Sequence, residues 1–135
     1  MMTIKLMVMA YLKPPWFTAK VFNRIAMAFG IGGSETLTVT KRGSKEPQSI
    51  PVVVPEVDGV KYLVSTRGES AWVLNVRADP NVKLGEKSYV ATEVPVEKRA
   101  PIIAVYRPLA GRVVEGYWKQ LPNDADHPIF ALAPV

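Results

Sequence analysis

The sequence predicts a mainly β (α+β) protein, a single closed or half-open antiparallel barrel with peripheral helices. Three observations predict it. Short runs rich in valine, threonine and isoleucine recur along the chain. Several of them are joined at hairpin length, with Asp58-Gly59 and Gly85-Glu86 as turn dipeptides. Helical segments fall between only some of these runs, which speaks against a doubly wound sheet.

The elements follow in order. Residues 1–135 are expected to form one domain, with 1–33 an N-terminal extension and helix and 34–135 the barrel with inserted helices. Pro14-Pro15 suits a helix start. Phe22, Ile25, Ala26 and Phe29 then share one helical face, and Gly30, Gly32 and Gly33 end it. Leu37 and Val39 alternate with threonines as a first strand. Ile50 to Val57 reads as a second; its prolines cannot donate ladder hydrogen bonds, so it belongs at an edge or a bulge. Tyr62 to Thr66 returns across Asp58-Gly59. Ala71 to Ala78 is a short helix stopped by Asp79-Pro80. Val82–Leu84 and Ser88–Val96 form a hairpin. Glu97 to Arg107 has helical spacing, with Pro101 tolerable in a first turn. Gly111 to Gln120 suits a helix or a loop equally. Ile129 to Leu132 is the last strand.

Composition removes several kinds of chemistry. There are no cysteines, hence no disulfide and no thiolate nucleophile. That fits a reducing cytoplasm, the expected location. His127 is the only histidine, so a multi-histidine metal site is impossible within one chain and no metal is expected. In its polar loop before Pro128, with Asp124 and Asp126 nearby, it reads as a surface or loop-anchoring residue, against a role in acid–base chemistry. The net charge of +5 favours an anionic ligand, nucleic acid or a membrane surface. The basic residues are scattered and carry no nucleic-acid signature, so no nucleic-acid partner is expected, although a small barrel with exposed aromatics can bind single strands. The apolar run Leu6–Leu12 is too short to span a membrane. Lys5, Lys13, Lys20 and Arg24, mixed with Trp16, Phe17 and Phe22, leave two readings open: a peripheral membrane contact, or apolar residues closing one end of the barrel.

Two segments carry the functional signal. Lys41-Arg42-Gly43-Ser44-Lys45 is a cationic turn between strand-like runs, offering three positive side chains, a hydroxyl and backbone N–H groups to one anion, such as a phosphate. Arg67–Pro80, RGESAWVLNVRADP, places a polar turn before a helix bearing Trp72, Asn75 and Arg77. Read alone, Trp72 could be core, Arg77 a helix cap and the three cations a solvated turn.

Together these segments resemble the deazaflavin-dependent nitroreductase and quinone-reductase family of actinobacteria, split β-barrel relatives of the FMN-binding proteins. The resemblance runs from about Leu37 to Pro80, with weaker agreement at His127–Leu132. The text from Thr38 to Pro47, then Pro51-Val52, is similar to the family's Thr-rich strand, cationic turn and proline pair. Gly68, Trp72, Asn75, Arg77, Ala78 and Pro80 match its second block. The resemblance implies the 5-deazaflavin coenzyme F-420, with FMN the second choice, and hydride transfer to a hydrophobic small-molecule acceptor: an enone, quinone or nitro compound. It implies that Lys41, Arg42, Ser44 and Lys45 hold the phosphate and that Pro51, Val52 and Val53 run along the ring. Ser65, Thr66, Arg67 and Gly68 would border the ring or ribityl chain, and Trp72, Asn75 and Arg77 would close the site. Solvent or Tyr117 would supply a proton. The chain departs from the family where Lys41 and Lys45 replace turn glycines, and where Leu109–Gln120 holds only Tyr117 and Trp118 instead of a tyrosine-rich stretch. The alternatives are a split barrel that holds F-420, FMN or haem without turnover, and a nucleic-acid-binding barrel. A split barrel with an edge strand can also form a homodimer.

Overall fold

The computed structural model describes residues 34–135. The expected extension and helix over 1–33, and the membrane contact read from them, lie outside the described residues. Seven strands form one antiparallel sheet: β1 Glu35–Thr40, β2 Pro47–Val52, β3 Glu56–Val57, β4 Val60–Val64, β5 Asn81–Leu84, β6 Lys87–Glu93 and β7 Ile129–Pro134. Their order across the sheet is β2-β1-β5-β6-β7-β4-β3. Helix α1, Ala71–Ala78, follows β4. Helices α2, Ala100–Ala110, and α3, Arg112–Gln120, form a hairpin between β6 and β7.

The valine-rich run of the second strand is two strands. β2 pairs with β1 at one edge, and β3 pairs with β4 at the other. Only Val53, Val54 and Pro55 separate them, and four residue steps reach at most about 14 Å. Opposite edges of the sheet are therefore held close by three residues of chain. The sheet curls round without closing, and the result is a half-open barrel. Prolines fit the edge: Pro47 and Pro51 lie in β2, opposite Thr40 and Thr36 of β1, where a missing N–H costs least. Pro55 still contributes, its carbonyl accepting from the Tyr62 N–H at 3.0 Å.

Turn chemistry matches the sequence. Asp58 and Gly59 both have positive φ, 53° and 82°, the requirement of a two-residue type I′ hairpin. The segment Gly111 to Gln120, open on sequence, is helical from Arg112. Gly111 itself, at φ 77°, turns the chain between α2 and α3 in a conformation that a side chain would strain. The helix expected from Glu97 starts three residues later, after a 3-10 turn over Val96–Lys98.

Strand alternation supplies two cores, one on each face of the sheet. In β7, Phe130 and Leu132 join Leu37, Val39, Leu63, Val73 and Val76, on the side that receives α1. Ile129, which alternates with them, joins Val64, Ile102, Ile103, Tyr106 and Trp118, on the side of the α2–α3 hairpin. Across that hairpin Arg107 binds Glu115 and lies 5.3 Å from the centre of the Trp118 ring.

Arg99 and His127 tie the loops. The Arg99 side chain, only 5% exposed, donates to the carbonyls of Val94 (2.9 Å), Asp124 (3.2 Å) and His127 (3.3 Å). His127 is completely buried and stacks on Trp118, with ring centres 3.9 Å apart. Its ring nitrogens face the carbonyls of Ser65 (2.9 Å) and Leu121 (2.6 Å). The histidine is thus a loop anchor, and burial rules out the surface position.

Candidate active site

Two separate hollows are each walled in part by β2 and by α1 with its N-cap. The first is at the split in the barrel, where the two cores meet. Ile50 to Val53 form one wall, and Val64 to Arg67, with Ser70 and Trp72, form the next. Tyr106 from α2 and Val113, Val114 and Tyr117 from α3 complete it. The space, including its open mouth, is about 660 Å³. The second hollow is lined by Lys41, Arg42, Gly43, Ser44, Gln48, Ala71 and Asn75. Both therefore use β2 and the first turns of α1. From Gln48 to Val52 the strand advances roughly 13 Å, which sets the spacing between a cationic end and an apolar end.

The cationic turn is built by local backbone bonds. Lys41 N–H donates to the Glu46 carbonyl at 2.9 Å, and Lys45 N–H to the Lys41 carbonyl at 3.1 Å. Ser44 Oγ accepts from the Glu46 N–H at 3.2 Å. Asn75, 4% exposed, reaches across from α1. Its Oδ1 accepts from the Arg42 N–H (3.2 Å) and from Arg42 Nε (2.9 Å), and its Nδ2 donates to Gln48 Oε1 (3.3 Å). Asn75 thus orients Arg42 through Nε, leaving the two terminal guanidinium nitrogens to face the hollow or water.

Lys45 occupies left-handed backbone, φ 66°, where the family has glycine. That conformation costs an L-residue about 1–2 kcal/mol, partly offset by the greater chain entropy glycine loses on folding. Lys45→Gly is expected to raise stability by about 0.5–1 kcal/mol, read as a higher urea midpoint with an unchanged slope. A lower midpoint would contradict the strain.

At the other end, the Ser65 hydroxyl donates to the Gly68 carbonyl and holds the turn into α1. Gly68 has φ 82°. Ser70 stands at the N-cap of α1 but makes no cap bond; its Oγ is buried and has no partner among the described residues. A buried unpaired hydroxyl costs about 1–3 kcal/mol, so this wall is suited to a ligand that supplies a polar atom. Trp72 serves both core and groove: it lines the hollow and packs against Phe130, with ring centres 6.0 Å apart.

The structure brings most of the sequence-predicted residues to these two hollows. Lys41, Arg42, Ser44 and Asn75 line the cationic end. Pro51, Val52, Val53, Ser65, Thr66, Arg67, Trp72 and Tyr117 line the apolar end. Lys45 and Gly68 shape the turns beside them. Arg77 is elsewhere: it lines neither hollow, and its guanidinium binds Glu69 and Glu93. Both nitrogens of the Arg77–Glu93 pair are close, Nε at 2.9 Å and Nη2 at 2.7 Å. Sequence reasoning missed Ser70 and Tyr106. The signal for Tyr106 was a phenol among Ile102, Ile103 and Ala110 on a core stripe, where phenylalanine would pack as well.

Hydrogen bonding from Arg77 holds the Glu93 carboxyl below its ordinary value of 4.5, against the opposing effect of burial. A depressed carboxylate stabilises the fold above its unfolded value, and the contribution is lost as pH falls through the folded value. Glu93→Gln should therefore be less stable than the wild type at neutral pH, with the gap narrowing below pH 4.5. Urea unfolding at stepwise lower pH checks this; a constant gap would contradict it.

Among the described residues no cluster of His, Asp and Glu could hold a metal ion, and no helix is long and apolar enough to cross a membrane. A half-open antiparallel barrel that carries a cationic turn and a largely apolar hollow, both walled by β2 and α1, is suited to a phosphorylated planar cofactor. The chain belongs to the F420H(2)-dependent quinone reductase family, whose model matches residues 19–132. The fold agrees with solved structures. An F420-H2 dependent reductase, FDR-A, superposes with TM-score 0.57 at 23% identity, covering 75% of this chain and 94% of its own. A domain-swapped dimer superposes at 0.54 with 22% identity, covering 85% and 96%. A FAD-binding protein from Mesorhizobium loti superposes at 0.53 with 15% identity, covering 88% and 91%. No curated protein sequence matches the chain. The protein is an F-420-dependent oxidoreductase.

Proposed function

We propose that this reductase delivers hydride to a quinone, with enones and nitro compounds as further acceptors, from a coenzyme laid along the β2–α1 groove. The observation that carries the reading is that two hollows, cationic at the 41–44 turn and largely apolar at the barrel split, both take walls from β2 and α1. Lys41, Arg42 and Ser44 hold the phosphate by charge-assisted hydrogen bonds, with Lys45 adding positive charge beside them. Pro51, Val52 and Val53 lie along the ring. Ser65, Thr66, Arg67 and Gly68 border the ring and its ribityl chain, and Trp72 closes that wall. Asn75 acts through Arg42, which it orients.

When bound, F-420 supplies the hydride; the side chains supply position and exclude water. The α2–α3 hairpin supplies the remaining wall, with Val113 and Val114 as apolar surface for the acceptor. Tyr117 stands on that wall within reach of the hollow, as a proton source beside solvent. The scarcity of acid–base residues fits this division of labour. A homodimer is the proposed assembly: β2 is an uncovered edge among the described strands, and one similar structure is a domain-swapped dimer.

The test is anaerobic oxidation of reduced F-420 by the purified protein with a simple naphthoquinone, an enone and a nitroaromatic. Turnover with the quinone is expected. Tight coenzyme binding without oxidation by any of the three would replace this reading with a non-catalytic binder.

A further inference from the structure

We propose that His127 is a positioning residue of the barrel-split hollow: its ring carries a proton on each nitrogen and, as a cation, ties the wall at Ser65 to the end of α3 in the facing wall. The charge and the tie are properties of the protein alone; only their effect on turnover rests on the reading above.

Both ring nitrogens face groups that can only accept. Nδ1 is 2.9 Å from the Ser65 carbonyl oxygen and Nε2 is 2.6 Å from the Leu121 carbonyl oxygen. A neutral imidazole has one N–H and one bare lone pair. Either neutral tautomer would therefore press a lone pair against a carbonyl oxygen at hydrogen-bond distance. The imidazolium has two N–H donors and satisfies both contacts.

A cation with no exposed surface needs compensation, and the surroundings supply it. Leu121 is the C-cap of α3, where a helix presents its partial negative charge. The Trp118 ring lies face to face with the imidazole, centres 3.9 Å apart and planes 6° from parallel, as a cation over an aromatic face requires. Asp124 and Asp126, in the 3-10 turn that leads into His127, add negative charge. Arg99 opposes it, since Nη1 donates to the His127 carbonyl at 3.3 Å, but Glu93 pairs with that guanidinium at 3.4 Å. Arg67, two residues past Ser65, adds positive charge at the hollow. Burial keeps the Tyr106 phenol, beside Trp118, neutral.

The two contacts join walls that are far apart in sequence. Ser65, Thr66 and Arg67 line one side of the hollow, and Val114 and Tyr117 of α3 line another. The Ser65 N–H already donates to the Pro128 carbonyl at 2.9 Å, so Ser65 is fixed to the 127–128 segment. The bond from Nε2 then fixes the end of α3 to the same point. Loss of the second proton breaks one of the two ring contacts and lets the walls shift. A misplacement of about 1 Å in such a site costs about 100-fold in rate.

His127 is the only histidine, so the imidazole of uniformly 15N-labelled protein gives one unambiguous pair of nitrogen signals. At neutral pH both should lie close together in the protonated range. One signal in the range of a bare nitrogen overturns the proposal, whatever the coenzyme does. As pH is raised until a proton leaves, the backbone amides of residues 65–68 and 117–121 should shift with the same midpoint as the imidazole. Amides that do not follow it overturn the tie. His127→Phe keeps a flat ring against Trp118 and removes both N–H groups; a thermal melt shows whether it folds. The folded variant should reduce a naphthoquinone with reduced F-420 at about 100-fold lower kcat/KM. It should also lack the alkaline fall in kcat/KM that, in the wild type, shares the imidazole midpoint. A folded variant with the wild-type rate and pH profile overturns the positioning role. Should the variant not fold, a wild-type profile without that fall overturns it instead. A wild type with both protons and coupled amides that never turns over leaves the tie standing and defeats the reductase reading alone.

Discussion

Replacing both Lys41 and Arg42 with alanine is expected to weaken F-420 binding by about 2–4 kcal/mol, the loss of two charge-assisted hydrogen bonds. That is roughly 30- to 1000-fold in Kd. Neither side chain supports the core: both are exposed on the turn, and Arg42 is held only through Asn75. Folding stability should therefore hardly move, so the binding loss is readable without correction. The effect should also shrink as salt rises, since exposed charges are screened. Fluorescence titration of the coenzyme against wild type and double variant checks it. Equal affinities would remove these residues from the phosphate site and leave Lys45 and the backbone of the turn as the remaining candidates.

Phe130→Ala should cost about 3–5 kcal/mol of stability. Phe130 is 2% exposed, sits in the core between the sheet and α1, and packs on Trp72. The cluster it belongs to draws on five other strands and a helix, so the cavity left behind cannot collapse by moving one loop. The site should suffer too, because Trp72 loses the ring that fixes its face of the groove. The measurement is urea unfolding, with coenzyme affinity determined under conditions where the variant remains folded. A loss under 1 kcal/mol would show that the sheet repacks freely and that Trp72 is not held in place by this ring.

Local chemistry was legible in the sequence, and long-range partners were not. Asp58-Gly59 announces its hairpin because type I′ geometry demands positive φ, which few residues tolerate. Ala71 to Ala78 announces its helix and Asp79-Pro80 its end. The prolines of β2 place it at an edge for the same kind of reason. The run Ile50 to Val57 shows the opposite case. Its valines favour strand throughout, and only the pairing partners, β1 on one side and β4 on the other, divide it in two. Arg77 matched a family position, yet its guanidinium is claimed by Glu69 and Glu93, the latter sixteen residues away. Tyr106 looked like one more core position on a helix stripe, because periodicity reports burial and says nothing about what the hydroxyl faces. The cationic turn was legible as a turn between two strands; its hold on Asn75, thirty-three residues distant from Arg42, was not.

The proposed coenzyme orientation puts its phosphate at the 41–44 turn and its ring at the barrel split. The most direct measurement compares wild-type affinity for F-420 with that for its deazaflavin core lacking the phosphate and glutamate tail. The core should still bind, more weakly by about 2–4 kcal/mol, and the Lys41→Ala/Arg42→Ala variant should bind both with nearly equal affinity. If the variant still prefers F-420 by the full wild-type margin, the phosphate is held elsewhere and the proposed orientation is wrong.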